Sequence, residues 1–225
     1  LTTLQVVALG TSQVSALTTK QLVVLTTDQV AAIETVDIAA MTTSQIASLT
    51  TAQMASMTTS QVVALGTTQV TSLTTAQLAA MTTTQMVAME TSDLAVITTS
   101  QLAGLTTAQM AAMTTTQVVG LGSTQVSVLT TSQLAAMTTT QIAAMEASDL
   151  AAITTANITG LTTAQVAGMG TTQVSSLTTS QLVAMTTAQI AAMETADVAA
   201  MGTTQVAALT TSQVKSMTAD QVAGM

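Results

Sequence analysis

The chain contains no Cys, Pro, His, Arg, Phe, Tyr or Trp, and both of its cations are Lys. Without cysteine there are no disulfides and no thiolate metal site. Without aromatics an ordinary globular core is not expected, because Phe, Tyr and Trp usually supply much of the buried area. With no Arg, no basic patch and no ring to stack on a base, nucleic-acid binding is excluded as an expectation. The lack of His, Cys and Arg, with Lys only at Lys20 and Lys215, leaves none of the usual nucleophile–base pairs, so no catalytic residue and no enzyme is expected. Long apolar runs are missing too. The longest is about five residues (VVALG, 62–66), far short of the ~18–20 that a membrane span needs. No signal peptide is visible.

What remains is one motif. The 225 residues divide into 28 octads plus Met225, with Leu1 taken as position a of abcdefgh. Position a is Leu, Met or Ile throughout, and position f is always Val, Leu, Ile or Met. Position c is Thr in 25 octads, and position e is Gln in 23, Asp in four and Asn once, at Asn157. Positions g and h are mostly Ala. The reading is a single uninterrupted array over residues 1–225, expected to be a window on a longer one, in which each unit buries its apolar residues by stacking on neighbours.

Thr at b and Gln at e have the T-x-x-Q spacing of a capping box. In that register a and f form the accompanying hydrophobic staple, and they are the two positions never polar. A rival register caps at c and places b, where Gly occurs, just past the helix end. Both registers give a helix of about six residues. One continuous helix is disfavoured, because an octad advances ~800° and the apolar stripe would rotate ~80° per unit. The expected fold is therefore an all-α repeat solenoid of very short helices, one per octad. The alternative is a β-solenoid, in which Thr and Gln would form ladders. Against it, alternation fails, and the Ala content is wrong for strands. All ten glycines fall at b or h, flanking a, so the chain is expected to bend there, where Gly costs least.

A slower rhythm marks some octads. Glu at b and Asp at e always occur together, as Glu34/Asp37, Glu90/Asp93, Glu146/Asp149 and Glu194/Asp197. Each such unit begins 24 residues after a unit with Gly at b. Block duplication explains this spacing, and alignment along a superhelix is the structural alternative. At i, i+3 the paired carboxylates could contribute to a weak Ca²⁺ site, although two carboxylates fall short of the six to eight oxygens this ion takes. The plainer expectation is that acids near a helix N-terminus answer its dipole and add solubility. Asp28, Asp220 and Lys20 occupy the freely varying position d and are read as solvent-facing. The 16 Met residues alternate with Leu, Ile and Val and are read as core filler. No cofactor is implied, and the sequon Asn157-Ile158-Thr159 carries little weight.

The L/M-T-T-x-Q-V/I/L-A-A units resemble the low-complexity octad arrays of very large bacterial surface and secreted adhesin-like proteins. That resemblance implies a spacer, stalk or self-assembling fibre at the cell surface or outside the cell. With 5% charged residues and neutral Thr/Gln surfaces, copies have little to hold them apart, so self-association is the expected partnership. The regular Thr array also resembles ice-binding solenoids in spacing and Thr content, which gives a binding surface for ice or a Ca²⁺-bridged neighbour as the second reading.

Overall fold

The computed structural model describes residues 1–225 as helices alone: 27 short α-helices and one 3₁₀ turn, one element per octad. The all-α solenoid is the fold, and no strand supports the β alternative. The residues form two units, Leu1–Met113 and Thr114–Met225.

Within each unit the octads repeat one local plan. Thr at b is the N-cap: Thr106 lies in extended backbone and its hydroxyl accepts from the Gln109 N–H at 3.2 Å. Gln109 Oε1 returns the bond by accepting from the Thr106 N–H at 2.8 Å. The box settles the register at b and overturns the rival cap at c. Where b is Gly half of it survives, as the Gly66 N–H still donates to Gln69 Oε1 at 2.9 Å. The helix then runs four to six residues and stops as position a turns extended (Leu49 φ −60°, ψ 140°; Thr50 φ −70°, ψ 161°). No residue has a positive φ. The corner therefore makes no demand for glycine, contrary to the expectation that Gly sits there for conformational freedom.

Such helices are too short to be stable alone. They hold because the chain coils. The helix Thr51–Ser56 packs on Thr27–Ala31, three octads earlier, and Thr75–Ala80 packs on Thr51–Ser56. Unit 2 does the same, with Thr187–Ala191 under Thr211–Ser216. Side chains at f fill the inside of the coil and those at a close the corner, so Leu134 is 0% exposed and Met137 is 3%. Each such burial contributes about 1.5–3 kcal/mol. Thirteen of the 16 methionines are buried core, as read from the sequence, whereas Met201 and Met217 are half-buried and Met225 is exposed. Position d faces solvent, with Lys20, Asp28 and Asp220 all exposed.

Candidate functional site

Two kinds of inner-coil polar residue stand out, and they differ by one substitution at position e. The common kind is Gln. Its Oε1 belongs to the capping box of its own octad, whereas its Nε2 reaches down to the preceding coil. Gln53 Nε2 donates to the Leu22 carbonyl at 2.9 Å and to the Leu25 carbonyl at 2.8 Å, 31 and 28 residues back. Gln181 Nε2 repeats this on Leu150 (2.8 Å) and Ile153 (2.7 Å). These carbonyls belong to positions f and a, at the end of one short helix, where the f carbonyl also accepts from the N–H of a, as Leu22 does from Leu25 at 3.0 Å. One buried amide thus caps the start of its own helix and the end of another. Sequence reasoning found the first role and missed the second. The signal was there: Glu serves a capping box as well as Gln does, yet Glu never occupies e. Only an amide supplies the donor.

Serine at h adds a smaller link at Ser56, Ser72, Ser176 and Ser216. Ser176 Oγ donates to the Ala147 carbonyl at 3.1 Å, one coil below, and to its own Gln173 carbonyl at 2.7 Å. Asn157, the single Asn at e, is one methylene shorter than Gln. Its octad forms the 3₁₀ turn Ile158–Gly160 and sits so close to the coil beneath that a Cβ on Gly160 would meet Thr131 backbone atoms at 2.6 Å.

The second kind is Asp, at the four marked octads. Glu34, Glu90, Glu146 and Glu194 are N-cap residues, exposed, with no side-chain cap bond. Their partners are buried: Asp37 is 1% exposed, Asp93 2%, Asp149 4% and Asp197 2%. This corrects the solubility reading for the Asp half of each pair. Asp37, Asp93 and Asp197 each keep one carboxylate oxygen, Oδ2, buried with no hydrogen-bond partner. Asp149 instead accepts from Ser123 Oγ at 2.6 Å, from position c of the coil below. Ser123 is the only Ser at c in the chain, and the bond shows where the short side chain points.

Burial, with the Glu90 carboxylate beside it, pushes the Asp93 carboxyl up to about 6. Asp197 is raised by burial and then by Glu194, against a lowering by the Glu194 backbone N–H. Both directions follow from removing a charge from water and placing a like charge near it.

The structure also gives the slow rhythm a spatial meaning. The Glu/Asp helix Thr35–Ala40 packs on the Gly-capped helix Thr11–Ala16, and Thr91–Val96 packs on Thr67–Ser72. In unit 2, Ala147–Ala152 lies against Ser123–Val126, and Thr195–Ala199 against Thr171–Ser176. The 24-residue offset is one coil, so every Glu/Asp octad lies against a Gly octad. At Gly66, Gly122 and Gly170 an added Cβ would meet nothing within 4 Å, so these corners border open space. No three acidic side chains converge anywhere in the chain. The sequence-predicted pairs are thus brought together two by two, each against a glycine corner.

No curated protein matches the chain. A family model described as the ALTTAQ repeat matches residues 30–67, 63–91, 86–123, 142–179 and 190–225, five tandem stretches that together cover well over half of the sequence. Its six-letter name spells the h-to-e segment of the octad, ending in the Gln that bridges coils, and this chain belongs to the ALTTAQ repeat family.

Proposed function

We propose that the chain is a structural element outside the cell, a spacer or stalk whose length is set by octad number, able to associate with copies of itself and without catalysis. The observation that carries this reading is the Gln bridge. Within each unit the Gln octads repeat the same bond to the coil before them, from Gln45 to Gln109 and from Gln165 to Gln221, so stability accumulates unit by unit, as suits a length-setting part. The chemistry supports it as well. The outward positions offer Thr, Ser, Ala and scattered Val such as Val63, Val119 and Val183. Surface grooves, such as those lined by Thr59, Val63 and Ala88 or by Thr179, Val183 and Ala208, are open and hold no titratable group. No helix is long and apolar enough to cross a membrane. The extracellular setting follows from the resemblance to surface adhesin-like arrays.

Small-angle scattering on arrays shortened or lengthened by whole octads tests the reading. The maximum dimension should grow linearly with octad number. A dimension that stops growing as octads are added would refute a spacer. Electron microscopy of concentrated protein tests self-association, which polydisperse monomers without lateral or end contacts would rule out.

A further inference from the structure

We infer that each Glu/Asp octad, together with the Gly octad one coil below it, forms a calcium site. The inference starts from the carbonyls. In the ordinary coil the position-e amide donates to the f and a carbonyls 31 and 28 residues back. An Asp at e has no N–H to give. By that spacing Asp37 replaces the donor to Val6 and Leu9, Asp93 the donor to Val62 and Leu65, and Asp197 the donor to Val166 and Met169. Each of these places sets a carboxylate where the amide donor would stand; the a carbonyl loses that donor, while the f carbonyl keeps the N–H of the next corner residue, as Val62 keeps that of Leu65 at 3.1 Å.

That arrangement is unfavourable unless something positive sits between the parts. The unpartnered Oδ2 atoms of Asp37, Asp93 and Asp197, in side chains at least 98% buried, mark the deficit independently of the sequence pattern. A buried polar atom left unpaired is costly, and here the same vacancy in bonding recurs in both units. At Gly66, Gly122 and Gly170 of the lower octads the corner beside the a carbonyl is open space. The exposed Glu at b of the upper octad provides a second carboxylate on the solvent side. Position c of the lower octad adds a hydroxyl, and Ser123 Oγ already reaches Asp149 from there.

The donor set is oxygen only: two carboxylates, main-chain carbonyls and a hydroxyl, with solvent access at the Glu. Nitrogen and sulfur ligands are absent, which disfavours zinc and the later transition metals. A mixed, flexible set of carboxylate and carbonyl oxygens that leaves room for water suits Ca²⁺, which takes 6–8 such ligands, better than Mg²⁺, which demands octahedral geometry and keeps its waters. The inference is independent of whether the array acts as a spacer.

The test is isothermal titration calorimetry of the full chain with CaCl₂, beside thermal melts followed by circular dichroism at fixed ionic strength. Up to four ions per chain should bind, and the melting midpoint should rise by at least about 2 °C. The decisive variant combines Asp37→Gln, Asp93→Gln, Asp149→Gln and Asp197→Gln. It regains the ordinary bridges and should fold, yet show neither binding heat nor a Ca²⁺-dependent shift. Three results would overturn the inference. They are no heat and no shift in the parent, an equal shift in the quadruple variant, or an equal shift with MgCl₂, the last two marking general screening of the net charge of −8.

Discussion

Gln77 Nε2 lies 2.7 Å from the Leu49 carbonyl oxygen, a residue 28 positions earlier, while its Oε1 accepts from the Thr74 N–H at 2.8 Å. The two halves of one amide therefore join a helix start to a corner in the coil below, and 2% of the residue remains exposed.

Removing the donor while keeping the volume should expose its worth. Gln77→Met takes the amide donor from the Leu49 carbonyl, one of two donors from the Ile46 carbonyl, and the acceptor from the Thr74 N–H. A loss of about 2–4 kcal/mol is expected, since each buried unsatisfied group costs about 1–3 kcal/mol. Gln77→Glu should be worse, because it sets a carboxylate against those carbonyls without the glycine corner that accompanies the natural acids. Chemical denaturation read by circular dichroism measures both, and a Glu variant as stable as the parent would contradict the bridge.

The capping register separates two neighbouring threonines. Thr178 accepts from the Gln181 N–H at 3.1 Å, whereas Thr179 sits exposed one residue into the helix. Thr178→Ala should destabilise by about 0.5–2 kcal/mol and Thr179→Ala by much less. The reverse order in a melting comparison would restore the rival register.

Glycines of two kinds should answer differently to the same change. Gly160→Ala places a Cβ 2.6 Å from the Thr131 backbone, so the coils must part and stability should fall by about 1–3 kcal/mol. Gly66→Thr meets open space and completes a capping box, so in calcium-free buffer it should be neutral or stabilising by a few tenths of a kcal/mol. Equal losses at both positions would show that the close approach at Gly160 is not real.

Acid should stabilise the calcium-free chain. The Asp93 carboxyl titrates at about 6 when folded, above its ordinary 3.8, so the folded form takes up a proton more readily than the unfolded one. The associated stability is complete below the unfolded value and fades as pH rises through about 6. Melting in chelator should therefore move upward from pH 7 to pH 4.5, and Asp93→Gln should flatten part of that slope. A midpoint that falls on acidification equally in both chains would contradict the shift.

Much of this could be read from residues alone. The a/f core and the Thr cap are visible because periodicity and capping chemistry act within one octad. The bridge was hidden because its second partner lies 28–31 residues away, and a uniform array gives no local sign of coil length. The Gly-to-Glu offset did carry that length, as Gly66 and Glu90 show, but duplication explains the same spacing. Burial of Asp93 was missed for the same reason: within its octad an acid at e looks like a first-turn acid. Ser123 was legible as an exception and gained its meaning only beside Asp149.

The bridge from e to a and f has a consequence for inheritance. Its acceptors are main-chain atoms, which every octad presents alike, so a Gln finds equivalent partners whichever octads precede it. Gain or loss of whole octads by slippage of the coding repeat would leave ordinary bridges in frame, whereas an insertion of any other length would misplace them downstream. The marked pairs obey a stricter rule, since an octad lost between Gly66 and Glu90 would part the acid from its glycine. Selection can therefore adjust the count freely in most of the array, while the spans between glycine and acid are held at three octads.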